Sequence, residues 1–349
     1  MLSQPFPAGL GPEDFLRHMA SLRAEMPARV RHQHVVSQVV LRRFGTADRN
    51  NGCELRAVAL EFGRSKPRGV KGCGAIDDFV PTASASAERL WQQVENRLGD
   101  AIDAAEAGTV FGSAEHMDVI RDAVALHFMR SVHLLLAHYR AAAQVWDLLR
   151  RSVVTRAGDL LRAHFLDVTG VHAAGPWALG AAFDDLARQR IDELLDGLSF
   201  RSRVEQNVAR MSDWLTTASL QLLWAPSPLY ISDAPVVLAA AGRTRHGLAG
   251  GLGLGGTEEI LMPLTSRLAV RLSADGAGYA NIDDAEVDQL NVLQLANAYR
   301  YLYAAPSEPV DAFVAANRTA WTRPPQIDTA KDTVRQLLRT LPRLSRMGP

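Results

Sequence analysis

The sequence predicts an α+β fold that is mostly α-helical, with a small antiparallel sheet in the C-terminal half. Apolar residues recur every three to four positions through most of residues 84–217, which is the period of a helix. Short apolar runs separated by Pro and Gly then follow at residues 219–273, which is typical of strands. Because the helices precede the strands as a block, the order favours an antiparallel sheet over alternating βαβ units.

The first segment, residues 1–30, is predicted to hold an N-terminal helix that begins near Pro12 and ends at Pro27. Residues 34–44 are predicted to form a short helix, because their large apolar side chains are four positions apart. The valines of that segment make a strand the alternative. A strand is predicted over residues 55–60.

Two long helices are predicted to form the core. Ser84 or Ser86 caps the first of them, and Ser113 caps the second, which is expected to run unbroken to about Arg150. The stripe that contains Leu98 is predicted to pack against the second helix. The other predicted helices cover residues 153–168, 177–198, 204–217, 283–297 and 310–317.

These elements predict three segments: an N-terminal helix at residues 1–30, a single α+β domain at 31–305 and a helical extension at 306–349. A chain of 349 residues, of which 47% are hydrophobic, can bury a large core without disulfides. Its two cysteines are therefore predicted to be reduced thiols, as in a cytoplasmic protein. The absence of a signal-like segment and of any run of about 18 apolar residues agrees with that location and predicts no membrane span.

Charge argues against one class of partner. The 38 basic residues balance the 38 acidic residues, so the chain has no global positive field for nucleic acid. A local basic patch is predicted on a C-terminal helix, where four basic residues are four positions apart; it is either a contact for an acidic partner or a solvated helix face. These residues are Lys331, Arg335, Arg339 and Arg343.

Residues 251–256 match the Gly-x-Gly-x-x-Gly string of dinucleotide-binding turns. A dinucleotide site requires a helix after the string, whereas here an apolar, strand-like run follows at residues 260–262. The surrounding segment 241–256 contains seven glycines and is predicted to be a mobile loop. Its functional interpretation is a lid over a binding site.

His32 and His34 are two positions apart, so in an extended segment both imidazoles point the same way. This spacing would let them bind one divalent metal ion, with Asp77, Asp78 or Glu95 as further ligands. The alternative is that they are ordinary surface or capping histidines.

Three more polar residues stand in apolar surroundings. Glu95 shares a helix face with Leu98, and Arg130 lies in an apolar run three residues after His127. Each is either a member of a structural ion pair or a site residue. Asp233 lies in a Ser-Asp-Ala-Pro turn between two apolar runs, where it either presents a carboxylate at a strand end or closes an Asx turn.

These features resemble a bacterial family called domain of unknown function 4238. Residues 34–44 are similar to its opening His-x-Val-Pro-x-x-x-Leu-x-x-Phe stretch. Glu95, Arg130 and the turn at 232–236 are similar in kind and order to its glutamate, arginine and Ser-Asp-Asn-Pro-Val-like turn, and residues 262–266 resemble its later Pro-Leu-Ser segment. The resemblance spans about residues 34–303.

Two departures from that pattern concern the site. Ser37 stands where the family usually has proline, and Ala234 stands where it usually has asparagine. The resemblance implies a set of polar positions but no established reaction.

Two hypotheses about function follow. The first is a hydrolase or nuclease in which His34, Glu95, Arg130 and Asp233 surround one pocket. Histidine would be a general base or metal ligand, the carboxylates would be ligands or acid/base groups, and arginine would hold an anion. The alternative is a non-catalytic binding or interaction protein whose polar residues brace the core. Perturbed titration of His34 and Glu95 in a shared cavity would favour the first hypothesis, whereas a solvent-free network with no cavity would favour the second.

Overall fold

A computed structural model describes residues 17–18, 20–22, 31–47, 52–80, 84–195, 197–243 and 245–339. The described residues form more helix than strand, which confirms the α+β class. Most of the predicted N-terminal helix lies outside the described residues, although residues 17–18 and 20–22 are helical.

Ten α-helices are labelled in chain order within the described part. They are α1 Gln38–Arg42, α2 Ser84–Glu106, α3 Ala114–Met129, α4 Val132–Arg156, α5 Gly158–Thr169, α6 Pro176–Leu195, α7 Leu198–Leu215, α8 Asp284–Asn297, α9 Val310–Ala316 and α10 Ile327–Arg339. Asp283 caps α8, since its carboxylate accepts the Glu286 N–H at 2.9 Å.

The strands are labelled in the same way. They are β1 His32–His34, β2 Thr46–Ala47, β3 Cys53–Ala59, β4 Arg64–Gly69, β5 Ala75–Asp77, β6 Ser219–Trp224, β7 Ile231–Ser232, β8 Val237–Ala239, β9 Glu259–Thr265, β10 Leu268–Ser273, β11 Gly278–Asn281 and β12 Tyr301–Ala304. The cysteines at the start of β3 and before β5, Cys53 and Cys73, are both free thiols, as predicted.

The predicted single small sheet is wrong. The described strands form a two-stranded sheet, β1–β5, and two five-stranded sheets. One large sheet has the order β11-β6-β10-β9-β8, and its β11–β6 pair is parallel. The other joins β2, β3 and β4 from the N-terminal part to β12 and β7 from the C-terminal part. Local sequence patterns cannot show the pairing of β3 with β12, because the paired residues are more than 240 positions apart in the chain.

The chain divides into two compact units. The first comprises the described part of Met1–Leu134 with Arg201–Pro324, and it contains all of the sheets. The second comprises Leu135–Phe200 with the described part of Pro325–Pro349, and it is helical. Helices α5 and α6 pack together in the second unit around Leu161. The predicted 31–305 domain and its boundaries stay a prediction.

The predicted helix at residues 34–44 is shorter than expected. His34 ends β1, and α1 begins only after Ser37. The N–H groups of Val35 and Val36 both donate to the Gly74 carbonyl, which holds this stretch extended beside β5. Gly74 has φ +61°, and a Cβ there would lie 2.9 Å from Cβ of Val36, so the close approach requires glycine.

The predicted long helix from residue 114 is broken in two, at Arg130 and Ser131, between α3 and α4. The Ser131 hydroxyl accepts the N–H of His133 at 3.2 Å and so starts the new helix. The predicted Ser113 cap of α3 is confirmed, since its hydroxyl accepts the His116 N–H at 3.3 Å. The break turns the chain at Arg130.

Helices α2 and α3 pack together in the first unit, as the sequence predicts. Leu98 and Ile102 of α2 and Ile120 and Val124 of α3 are fully buried. The apolar stripes of these two helices therefore form part of the core and position Glu95 and Arg130 beside it.

Candidate functional site

Ser37 lies at the centre of a buried polar network. Its hydroxyl donates to Glu95 Oε1 at 2.6 Å and accepts from Arg130 Nη2 at 2.6 Å. Its N–H donates to His127 Nε2 at 3.1 Å. Ser37 thus joins the β1–α1 connection to both core helices. We call Ser37, Glu95, His127 and Arg130 the polar network.

The guanidinium of Arg130 connects the members of this network. Its side chain is only 1% exposed, and its Nη2 lies 3.0 Å from Glu95 Oε1. Its Nε donates to the carbonyl of Val35 at 3.1 Å, and its charge lies over the Trp91 ring, 5.2 Å from the centroid. A buried charge requires such compensation, because its desolvation is otherwise costly.

His127 is held as a neutral imidazole. Burial lowers its pKa well below the usual value, and the charge of Arg130 lowers it further. Its Nδ1–H donates to the Ala123 carbonyl at 2.7 Å, so Nε2 is left as the acceptor. Nε2 accepts from the Ser37 N–H and lies 3.2 Å from Arg130 Nη2. Both ring nitrogens are therefore occupied, and His127 has no lone pair free for proton transfer.

Glu95 is the network member that reaches the surface, with its side chain 23% exposed. The charges of Glu95 and Arg130 both act on the pKa of His34, which lies three residues before Ser37. Burial is the largest effect and lowers the pKa of His34, so its ring is neutral near pH 7. Its Nε2 lies 3.2 Å from Gln38 Nε2 and 3.3 Å from the Lys71 carbonyl oxygen, so the tautomer of the ring decides whether Nε2 accepts from Gln38 or donates to Lys71.

The other predicted metal-binding histidine, His32, is near His34 but bonded differently. Their ring centroids are 5.4 Å apart at nearly a right angle, and Nδ1 of His32 lies 2.9 Å from Asp77 Oδ1. In the described part of the chain, no group of three or more His, Cys, Asp or Glu side chains has an arrangement that would hold a metal ion. Metal binding at His32 and His34 stays a prediction.

Asp233 has a separate set of partners. Its two carboxylate oxygens accept three backbone N–H groups, from Tyr299 at 2.7 Å, Arg300 at 2.8 Å and Tyr301 at 3.1 Å. Burial raises its pKa to about 6, although these three donors act in the opposite direction. The carboxylate therefore fixes the turn from α8 into β12.

Three amides of α8 hold the chain on either side of Asp233. Asn291 Oδ1 accepts the N–H of Tyr230, Gln294 accepts from Ser232, and Asn297 donates to the carbonyls of Ala234 and Val236. These amides are three positions apart and so lie on one helix face. That spacing is visible in the sequence, but nothing in it indicates that the face binds the turn.

The four predicted site residues are thus only partly brought together. Glu95 and Arg130 are in direct contact, and His34 is within electrostatic reach of both. The contacts of Asp233 described above are all with the turn into β12. Ser37 and His127 were not predicted as site residues. Two signals pointed to them: Ser37 replaces the usual proline of the resembled family, and His127 lies three positions before Arg130 on one helix face.

A cavity of about 310 Å³ lies elsewhere in the first unit, between the β8-β9-β10 part of the sheet and α8. One wall is a sheet face that carries Leu261 and Arg271, which are directly opposite in the β9–β10 register. The opposite wall is one face of α8, where lining residues recur at helical spacing: Glu286, Gln289, Leu290 and Leu293. The end of β8 and residues 240–243 close one side.

The predicted glycine loop contributes to this cavity. Arg243 and His246 line it, together with Ala241 and Gly242. The loop contains a short 3₁₀ turn at Leu254–Gly256 and leads into β9 rather than a helix, which confirms that the glycine string lacks the context of a dinucleotide site. The mobility of the loop stays a prediction.

The predicted basic patch is only partly described. Lys331 on α10 is buried and does not contribute to an exposed basic face. The side chains of Arg335 and Arg339, and all of Arg343, lie outside the described residues. Among the described helices, none is long and apolar enough to cross a membrane.

Comparison with known proteins identifies one family. A family model described as "Protein of unknown function (DUF4238)" matches residues 32–308. The matched region contains the polar network, the Asp233 turn and the cavity. No curated protein and no solved structure matches the chain.

Proposed function

This chain belongs to the DUF4238 family, and we propose that it is a non-catalytic binding protein that holds a small molecule in the cavity between α8 and the β8-β9-β10 sheet. The observation that carries the proposal is whether buried polar atoms already have hydrogen-bond partners, compared between the polar network and the cavity. Buried atoms of the polar network bind one another, whereas Nδ1 of His246, in the cavity wall, is buried without a hydrogen-bond partner among the described residues.

The cavity has the general character of a ligand site. Its volume is at the lower end of the range for small-molecule pockets, which is roughly 300–1,000 Å³. Apolar side chains, including Leu261, Leu290 and Leu293, alternate with a few polar groups. A small set of polar groups on an apolar wall is the usual arrangement for orienting a ligand.

The polar network supports a structural role instead. Ser37, His127 and Arg130 are almost completely buried, so a substrate has no access to the Ser37 hydroxyl or the His127 ring. Most of their hydrogen bonds join the β1–α1 connection to α2 or to α3 and its C-terminal end, and the Arg130–Glu95 bond joins that end to α2. Such a network specifies how these segments pack, which is a common use of buried polar groups.

A hydrolase or nuclease centred on Glu95 and His34 is the second candidate. The observation that favours it is that the Glu95 carboxylate is 23% exposed and that its charge acts on the pKa of His34, whose ring is neutral near pH 7. A carboxylate with a neutral imidazole is a usable acid/base pair. Asp233 takes no part in this version, because its oxygens bind the turn into β12.

The binding proposal is tested by ligand-observed NMR with a fragment library of neutral, anionic and cationic compounds. Gln289 is exposed at the cavity, so Gln289→Phe should obstruct it without changing the core. Asp288→Phe is the matched control, since Asp288 is exposed on the same helix but does not line the cavity. We expect fragments that bind wild type and Asp288→Phe but not Gln289→Phe, with equal melting temperatures for the two variants.

A screen without hits, or hits that Gln289→Phe does not affect, would overturn the binding proposal. The second candidate is tested separately with p-nitrophenyl acetate and bis(p-nitrophenyl) phosphate, with and without added Mn²⁺ or Zn²⁺. Hydrolysis by wild type that is lost in a stably folded Glu95→Gln variant would establish the catalytic candidate and refute a purely structural role for Glu95.

A further inference from the structure

The cavity walls contain both acidic and basic side chains, and these differ in whether they already have partners. Arg271 has ion-pair partners: its Nε lies 3.0 Å from Glu259 Oε2 and its Nη2 lies 4.0 Å from Glu286 Oε1, although the geometry at the buried Nε does not make a hydrogen bond. Its Nη1 donates to Gln221 Oε1 at 3.3 Å. The two glutamates of the wall are therefore both close to a cation that belongs to the protein.

Glu286 has a second partner, because its Oε2 accepts the Asp283 N–H at 3.3 Å in the capping box of α8. A cationic ligand would have to compete with Arg271 for Glu259 and with both Arg271 and the helix cap for Glu286. Competition for partners that are already used costs binding energy. We therefore expect the two glutamates of the cavity to bind a cationic ligand only weakly.

The basic side has donors without a partner among the described residues. Arg243 lines the cavity and has no acidic partner among the described residues. His246 lines the same cavity, and its buried Nδ1 has no hydrogen-bond partner in the described part of the chain. An Arg guanidinium and an imidazole N–H are both donors, and both bonds are strengthened when the acceptor is an anion.

We infer that the ligand is a small organic anion, a carboxylate with a short aliphatic body. This inference rests on the proposed binding function and names its ligand class. The carboxylate binds Arg243 and His246, and the aliphatic part packs on Leu261, Leu290 and Leu293. Liquid water occupies about 30 Å³ per molecule, so the cavity equals about ten water volumes. A ligand of on the order of ten non-hydrogen atoms is therefore the expected size.

Three probes of equal chain length separate charge from hydrophobicity: octanoate, octanamide and octylamine. Titration calorimetry at low salt is expected to show binding of octanoate and much weaker binding of the neutral and cationic probes. Arg243→Gln should weaken octanoate binding about tenfold or more, because a hydrogen bond to a charged group is lost. Arg245→Gln is the matched control, since Arg245 is exposed two residues away but does not line the cavity.

The outcomes distinguish the ligand class from the binding function. Octanamide or octylamine binding as tightly as octanoate, with loss in Gln289→Phe, would refute the anionic ligand and leave the binding site in place. Octanoate binding that is equal in Arg243→Gln and wild type would also refute the inference. If none of the three probes binds, the inference fails, and the fragment screen alone then decides whether the cavity binds small molecules.

Discussion

The guanidinium of Arg130 shows how a single side chain can connect three separate segments. It reaches the carbonyl of Val35 before α1, the carboxylate of Glu95 on α2 and the ring of His127 on α3. Glu95 and His127 also bind Ser37, so Arg130 adds its charge to contacts that Ser37 already makes. The loss of Arg130 removes the donor to the Val35 carbonyl and leaves the Glu95 carboxylate without its cation.

We therefore expect Arg130→Ala to lower the free energy of unfolding by about 3–5 kcal/mol, the usual cost of removing one partner of a buried ion pair. Urea denaturation of the purified protein measures this directly. Arg43→Ala is the control: Arg43 also binds two carboxylates, those of Asp103 and Glu106, but at the surface. That substitution should cost less than about 1 kcal/mol. Equal costs for both variants would refute the bracing role of the polar network.

The raised pKa of Asp233 predicts how the free energy of unfolding changes with pH. Its folded-state pKa is raised by burial to about 6, above the ordinary value of 3.8. A raised folded-state pKa gives stability that is present below the unfolded pKa and is lost as pH rises through the folded pKa. The contribution of Asp233 is therefore lost between about pH 4 and pH 6 and is constant above that range. Two pKa units correspond to roughly 3 kcal/mol.

Asp233→Asn removes this titration, and it also places an amide NH₂ against backbone N–H donors. The variant should be less stable than wild type at pH 7 by about 1–3 kcal/mol, since a buried donor loses its acceptor. Its deficit relative to wild type should be larger at pH 4 than at pH 7. Urea midpoints measured across that interval provide the test, and a deficit that grows with rising pH would contradict the raised pKa.

At the residue scale, the sequence indicates which charged residues need partners but not which partners they have. Glu95, Arg130 and Asp233 stand out because a charge in apolar surroundings is costly without a partner, and all three are indeed partnered. The identity of the partners depends on contacts between distant segments. Asp233 binds N–H groups of residues 299–301, more than 65 positions away, so no local pattern could separate it from the Glu95–Arg130 pair.

At the scale of elements, the core pairing of α2 with α3 follows from helical periodicity. Leu98 is completely buried on the face of α2 that the sequence predicts. The break between α3 and α4 was missed because apolar residues continue through it, from Leu126 to Leu136. The chain turns there because the Ser131 hydroxyl accepts the His133 N–H and because Arg130 binds its partners in the polar network. The period of the apolar residues indicates neither interaction.

Leu98→Ala should lower the free energy of unfolding by about 2–5 kcal/mol, because it removes buried methyl groups and leaves a cavity between α2 and α3. Arg97→Ala is the neighbouring control. The Arg97 side chain is largely exposed and contacts Asp122 at the surface, so its removal should cost less than about 1 kcal/mol. A cost below about 0.5 kcal/mol for Leu98→Ala would refute its place in the core.

At the scale of the whole molecule, the sheets depend on pairings that no local signal encodes. Strand β12 lies between β3 and β7, so residues near 55 and near 302 become neighbours. The strand character of β3 is readable from its composition, whereas its partner is not, because pairing is selected by the complete fold. The same holds for the cavity, whose walls come from a loop, a sheet and a helix.

The loop at residues 241–256, which lines the proposed binding cavity, has an exposed first part and an anchored later part. Arg243 and Arg245 are exposed near its start, where few backbone hydrogen bonds hold the chain. The later part is anchored, since Gly247 donates to the Leu238 carbonyl and Leu252 is buried. Exposed arginines within helices, such as Arg162 on α5, require local unfolding before a protease can cut beside them.

Brief trypsin digestion should therefore cut the folded protein first after Arg243 or Arg245, as identified by mass spectrometry. Arg243→Gln should leave only the cut after Arg245. The double variant, Arg243→Gln with Arg245→Gln, should yield neither of the two early fragments. If Arg243 binds the ligand carboxylate, octanoate should also slow cleavage at this loop in wild type but not in Arg243→Gln, because a bound loop samples cleavable conformations less often. First cuts within the helices, with both loop arginines intact, would show that the loop is as rigid as the core, and a lid over the cavity would then be excluded.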